Sequence, residues 1–103
     1  MTYELTLDAL ADPTRRKVFE RLKAGPLPVG EIAAGLPVSR PAVSQHLRVL
    51  KQAGLVHDQQ RGTARLYAIH RPGLAALRDW VESFWDEPLA HFKNHAEGNN
   101  GKK

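Results

Sequence analysis

Cysteine is absent from all 103 residues, which excludes disulfide staples, thiolate metal ligands and thiol redox chemistry. Long apolar runs are missing too, since none approaches the roughly 18 residues that a membrane span requires. The opening residues carry acidic Glu4 and Asp8 and no extended apolar stretch, so they lack the pattern of a secretory signal. A cytoplasmic location is the expectation. Nothing in the chain groups residues for catalysis. No nucleophile has a base in a suitable setting, no glycine-rich phosphate loop occurs, and Asp86 and Glu87, adjacent on a helix, point apart rather than pairing as acid and base. An enzyme is not expected, and no cofactor is called for. With no internal repeat and no long linker, the predicted organisation is one small domain over residues 1–97 and a disordered tail, GNNGKK, over 98–103.

What the chain does have is a basic middle. Net charge is +4, but residues 1–38 hold five Lys/Arg against five Asp/Glu, and residues 72–103 hold four against five. Residues 39–71 hold six, Arg40, Arg48, Lys51, Arg61, Arg65 and Arg71, against a single acid. Charge concentrated in one segment points to a polyanionic partner for that segment.

Helix signals run through the first half. Leu5, Leu7 and Leu10 begin a short helical stretch, and Asp12-Pro13 then supplies an N-cap followed by the residue best suited to a first helical position. The helix that starts there extends roughly to Ala24, buries Val18, Phe19 and Leu22, and stops at Gly25-Pro26. A two-turn helix around Ile32 and Leu36 enters through Pro28 and closes at Gly35-Leu36-Pro37. Ser39 is a suitable N-cap for the next helix, Pro41 costs little in its first turn, and Gly54 can take the left-handed conformation that ends it. Two helices joined by a short turn, the second capped and amphipathic, make a helix-turn-helix.

Downstream, Leu55-Val56 and Ala64 to Ile69 read as two strands joined by the polar tip DQQRGT, with Gly62 supplying a positive φ. From Gly73 a long helix carries Leu74, Leu77, Val81, Phe84, Leu89 and Phe92 along one stripe, flanked by Trp80 and Trp85. Pro88 removes a backbone donor and crowds the carbonyl of Phe84, which predicts a kink or a break.

A DNA major groove about 12 Å wide admits one helix that buries one face and shows short polar groups on the other. In the helix over 39–53, Val43, Leu47 and Leu50 answer the first need, while Ser39, Arg40, Ser44, Gln45 and Arg48 answer the second. Gln45 can bond adenine in bidentate fashion, and Arg48 or Arg40 guanine, while Ser39 and Ser44 suit phosphate as well as bases. The hairpin over 57–68 would then be a wing, bringing Arg61, Thr63 and Arg65 to the DNA backbone or minor groove. Double-stranded RNA fits less well because its major groove is too deep and narrow. A protein-docking winged helix would expose apolar residues where this chain has Ser, Gln and Arg.

The stretches LADPTRRKVFERL, LPVGEIAAGLPVSRPAVSQHLRVLKQAGLV and RGTARLYAI resemble the ArsR-type winged helix-turn-helix transcriptional regulators of bacteria, over roughly Leu7 to Trp85. The resemblance implies a mainly α fold with a small β-hairpin. It also implies a homodimer through the first and last helices, and a repressor acting at its own or a neighbouring promoter. Leu5, Leu74, Leu77, Val81, Phe84 and Trp85 are the expected dimer interface. Two recognition helices about 34 Å apart would read a palindrome.

The metal sensors of that family carry a Cys-x-Cys pair where this chain has Ala33 and Gly35, so no thiolate site exists here. Others use Asp-x-His on the last helix, where this chain reads Asp79-Trp80-Val81. His91 and His95 lie one turn apart, with Asp86 and Glu87 nearby, but a closed zinc site needs about four ligands and no clear set is visible. No metal is therefore expected. His46 is read as a half-buried support of the helix-turn-helix, and His57 and His70 bracket the wing. The alternative reading is a repressor governed by a metal or small-molecule effector near the dimer helices, with Trp80 and Trp85 lining the pocket. A core or interface role for both tryptophans is favoured.

Overall fold

The computed structural model describes residues 3–99, with side-chain surroundings described for residues 4–85. The first helix, α1 (Tyr3–Ala11), meets α2 (Pro13–Arg21) at Asp12. There the Asp12 carboxylate accepts the Arg15 backbone N–H at 3.0 Å, satisfying one of the first-turn donors that a helix cannot bond internally. This bond, foremost, holds the Asp12 carboxyl below its ordinary range. The free carbonyls at the end of α1 are taken by guanidinium groups from α2. Arg16 donates to Leu10 O at 2.8 Å and to Ala11 O at 3.2 Å, and Arg15 donates to Ala9 O at 3.2 Å.

The helix predicted to reach Ala24 is α-helical only to Arg21 and tightens into a 3-10 turn over Leu22–Ala24. Gly25, at φ +145°, then redirects the chain. A two-residue strand, β1 (Leu27–Pro28), and the short helix α3 (Val29–Ala34) follow. The recognition-type helix α4 covers Arg40–Gln52, and β2 (Val56–Arg61), β3 (Ala64–Ile69) and α5 (Arg71–Asn99) complete the chain.

The core lies between the helices and the stem of the hairpin. Val18 and Leu22 from the second helical segment, Ile32 from α3, Val43, Leu47 and Leu50 from α4, and Leu55 and Val56 after it are all buried. Phe19 only lines this cluster, partly buried. Leu74 packs against the same cluster, so the first turns of α5 belong to the protomer's own core.

Three expectations are corrected. The sheet has three antiparallel strands in the order β1-β3-β2, not two, with Leu27 opposite Tyr67 and Pro28 opposite Leu66. The polar run Asp58 to Arg61 is strand rather than tip, because Asp58, Gln59, Gln60 and Arg61 pair in register with Tyr67, Leu66, Arg65 and Ala64. The connection is thus only Gly62-Thr63, with positive φ at Gly62 (+60°) alone among the two, as in a type II′ turn. Finally, α5 continues through Pro88 without a break. A proline removes a single bond of the helical ladder, and the turns on either side retain theirs. Of the tail expected from residue 98, residues 100–103 lie outside the described residues.

Candidate nucleic-acid interface

The helix α4 is defined at both ends by local chemistry. At its start, Ser39 has extended backbone (φ −78°, ψ 161°) and its Oγ accepts the Ala42 N–H at 3.3 Å. Pro41 occupies the first turn, where no intrahelical donor is lost. At its end, Gly54 turns left-handed (φ +80°), its N–H bonds Lys51 O, and the Leu55 N–H reaches back to Leu50 O, both at 3.0 Å. This is a Schellman motif, completed by the apolar pair Leu50 and Leu55, which are both buried.

Between these caps the faces of α4 divide cleanly. Val43, Leu47 and Leu50 are at most 1% exposed, whereas Ser44, Gln45 and Arg48 face solvent and His46 is half-buried at the boundary. Arg40 is exposed too, but its guanidinium lies across α3, so close to Gly30 that an added Cβ there would stand 2.3 Å from a guanidinium nitrogen. A glycine at 30 therefore gives Arg40 a seat at the mouth of the turn. In the same way Arg21 covers Gly35 and donates to Glu31 O at 2.8 Å, tying α2 to α3. The pair α3 and α4 is thus braced from behind while the polar side of α4 stays open.

The wing stands beside this face. Arg61, Gly62 and Thr63 are all exposed at its end, and the Gln60 amide steadies the turn by donating to Gly62 O at 3.1 Å. Arg65 is placed differently. On the antiparallel hairpin it lies diagonal to Asp58, and its guanidinium donates to Asp58 Oδ2 at 2.5 Å. Lys51 of α4 meets Asp58 Oδ1 at 2.7 Å. Sequence reasoning named Lys51 only as one of the segment's six cations and did not name Asp58. The only available signal was that Asp58 is the sole acid in the basic segment. The lysine and arginine together, Lys51 foremost, hold the Asp58 carboxyl below the usual carboxylate range. At the wing's base, His57 and His70 pack edge to face with centroids 5.6 Å apart.

The terminal helices carry exposed apolar residues. Leu5 and Leu7 on α1, and Val81, Phe84 and Trp85 on α5, are between 41% and 63% exposed. Leu74 and Leu77 are partly buried above them. Trp80 meets Phe84 edge to face at 5.0 Å. Among the described residues no three His, Asp or Glu side chains group as a metal site. The side chains of Asp86, Glu87, His91 and His95 lie outside the described residues.

Comparison with known proteins agrees with this geometry. A helix-turn-helix domain family matches residues 10–59. The chain is 58% identical over 84 residues to the HTH-type transcriptional regulator Rv2034 of Mycobacterium tuberculosis, covering 82% of this chain and 78% of that one. It is 37% identical to the transcriptional repressor SdpR of Bacillus subtilis, covering 74% and 84%. Among solved structures, a homodimeric winged helix-turn-helix DNA-binding domain from Mycobacterium bovis superposes with a TM-score of 0.67 at 30% identity, covering 86% of this chain and 82% of that one.

Proposed function

From the membership of this chain in the ArsR-type winged helix-turn-helix family of DNA-binding transcriptional regulators, we propose that it is a homodimeric repressor reading a palindromic operator in double-stranded DNA. The observation that carries this reading is the split face of α4: a fully buried apolar side, and an open polar side composed of groups that match base edges and phosphates. Gln45 and Arg48 address base edges in the major groove, and Arg40 and Ser44 flank them. Ser39 keeps its hydroxyl on the helix cap and presents its position to phosphate. Arg61 and Thr63, at the end of a two-residue turn, reach the backbone beside the groove.

The dimer uses the apolar surface of α1 and α5. Leu5, Val81, Phe84 and Trp85 are large apolar side chains left between 41% and 63% exposed, and Leu74 and Leu77 on the same helix as the last three are partly buried. A two-fold axis there would set two copies of α4 in successive major grooves. Such a protein acts in the cytoplasm, and its repression follows from occupying promoter DNA.

Selection of bound sequences from a random duplex pool, run with a chelator present, tests the reading. Recovery of a palindrome with half-sites about ten base pairs apart is expected. Substituting Gln45→Ala should then weaken binding to the recovered site by about 1–3 kcal/mol and leave random DNA nearly unaffected. Equal losses on both would show that α4 contacts phosphates rather than bases. Binding that appears only when metal or cell extract is restored would favour an effector-governed repressor instead.

A further inference from the structure

The sole acid of the basic segment 39–71 sits where it meets two of that segment's six cations at once. Asp58 has only 8% of its side chain exposed, while those of Lys51 and Arg65 are 56% and 50% exposed. Its two oxygens are divided between the cations, Oδ1 to the last turn of α4 and Oδ2 to the outgoing strand of the wing. An isolated exposed ion pair contributes little to stability. Three charges joined through one covered carboxylate are a different device, because the carboxylate fixes where both cations point.

Resting on the reading of α4 and the wing as the DNA-binding face, we propose that Asp58 is a positioning residue that clasps the wing to the recognition helix and withholds Lys51 and Arg65 from DNA phosphates. Specificity is the difference between the affinities for the operator and for other DNA, and phosphate contacts strengthen both alike. A carboxylate that neutralises one of two nearby cations and holds both aside lowers affinity for arbitrary sequence. The base-reading side chains of α4 keep their geometry. Arg65, expected from the sequence to touch the DNA backbone, acts here as one arm of the clasp, and the wing meets the backbone through Arg61.

The test measures binding of the full-length protein to a mixed-sequence DNA duplex, and to the operator recovered by selection, as a function of salt. Asp58→Asn keeps the size of the side chain and removes its charge. It should steepen the salt dependence on mixed-sequence DNA by about two units of log K per log salt, one for each cation released, and tighten that binding about threefold or more at low salt. The ratio of operator to mixed-sequence affinity should fall. Arg65→Gln in the otherwise unaltered protein should leave the slope unchanged, yet in the Asp58→Asn background it should remove about half of the added steepness, the rest belonging to Lys51. An Asp58→Asn slope equal to that of the parent overturns the proposal, as does a slope lowered by about one unit on Arg65→Gln alone. If Asp58→Asn does not fold, the exposed Arg65→Gln variant decides the matter by itself. Failure of the unaltered protein to bind any duplex would remove the DNA reading together with the clasp, whereas normal binding with unmoved slopes removes the clasp only.

Discussion

Replacing Gly73 by alanine puts a methyl group where there is no room for one. Gly73 is buried in the first turn of α5, and a Cβ there would stand 1.8 Å from the carbonyl oxygen of Gly54 and 2.8 Å from its carbon. The two backbones would have to separate by roughly 1.6 Å to restore an ordinary contact of 3.4 Å. Neither is free to retreat. Gly54 is held by its bond to Lys51 O at 3.0 Å, and the adjacent Leu55 by bonds to Leu50 O at 3.0 Å and from the His70 N–H at 2.8 Å. Overpacking against rigid neighbours costs about 1–3 kcal/mol, and the strained Schellman bonds place this case at the upper end. For a chain of this length about 3 kcal/mol corresponds to a fall in Tm of 10 °C or more. Thermal unfolding followed by circular dichroism, at one fixed protein concentration because the proposed dimer would link Tm to concentration, gives the answer. A Gly73→Ala protein melting within about 2 °C of the parent would refute the argument that α5 is seated by backbone contact on the end of α4.

Other outcomes follow from the same structure. Arg61→Gln should lower the salt slope of DNA binding by about one unit, since Arg61 stands exposed at the wing's end, and an unchanged slope would take the tip out of the interface. Phe84→Asp, placing charge on a residue that is 57% exposed on the proposed dimer face, should shift sedimentation from dimer to monomer, and an unaltered dimer would move the interface elsewhere. Asp12 and Asp58 both have carboxyl groups lowered from 3.8 in the folded state. Their stabilising effect is therefore fully present above the unfolded value and is lost as pH falls through the lowered folded values. Urea midpoints should hold down to about pH 4 and decline below it, and Asp12→Asn should decline less steeply. An equal decline in the variant would assign acid sensitivity to other groups.

The helical half of this fold was legible because its signals are local. Asp12-Pro13, Ser39 with Pro41, and Gly54 each fix a helix end through bonds spanning three to five residues, and the period of Val43, Leu47 and Leu50 names the buried face. The sheet was less legible. Leu27-Pro28 is too short for a pattern of its own, and it becomes a strand only because β3 is alongside. Asp58 to Arg61 carry side chains poorly suited to strands, but pairing with Ala64 to Tyr67 overrides that preference. The candidate recognition residues were readable as a face of one helix. Their bracing was not, because Arg40 over Gly30, and Lys51 and Arg65 around Asp58, join positions distant in sequence.

The seat of Arg21 has a consequence for how this chain could change its responsiveness. Position 35 corresponds to one of the paired cysteines in metal-sensing members of the family, and here a Cβ at that position would meet the Arg21 guanidinium 2.6 Å away. Installing cysteines at 33 and 35 would therefore first have to displace Arg21. The new side chain would evict a guanidinium from its bond to the Glu31 carbonyl and leave a permanent cation beside the arriving metal, opposing it electrostatically. A second change at Arg21 would relieve the crowding and the charge together, so the guanidinium that braces α2 on α3 also sets how easily a metal could be accepted at position 35.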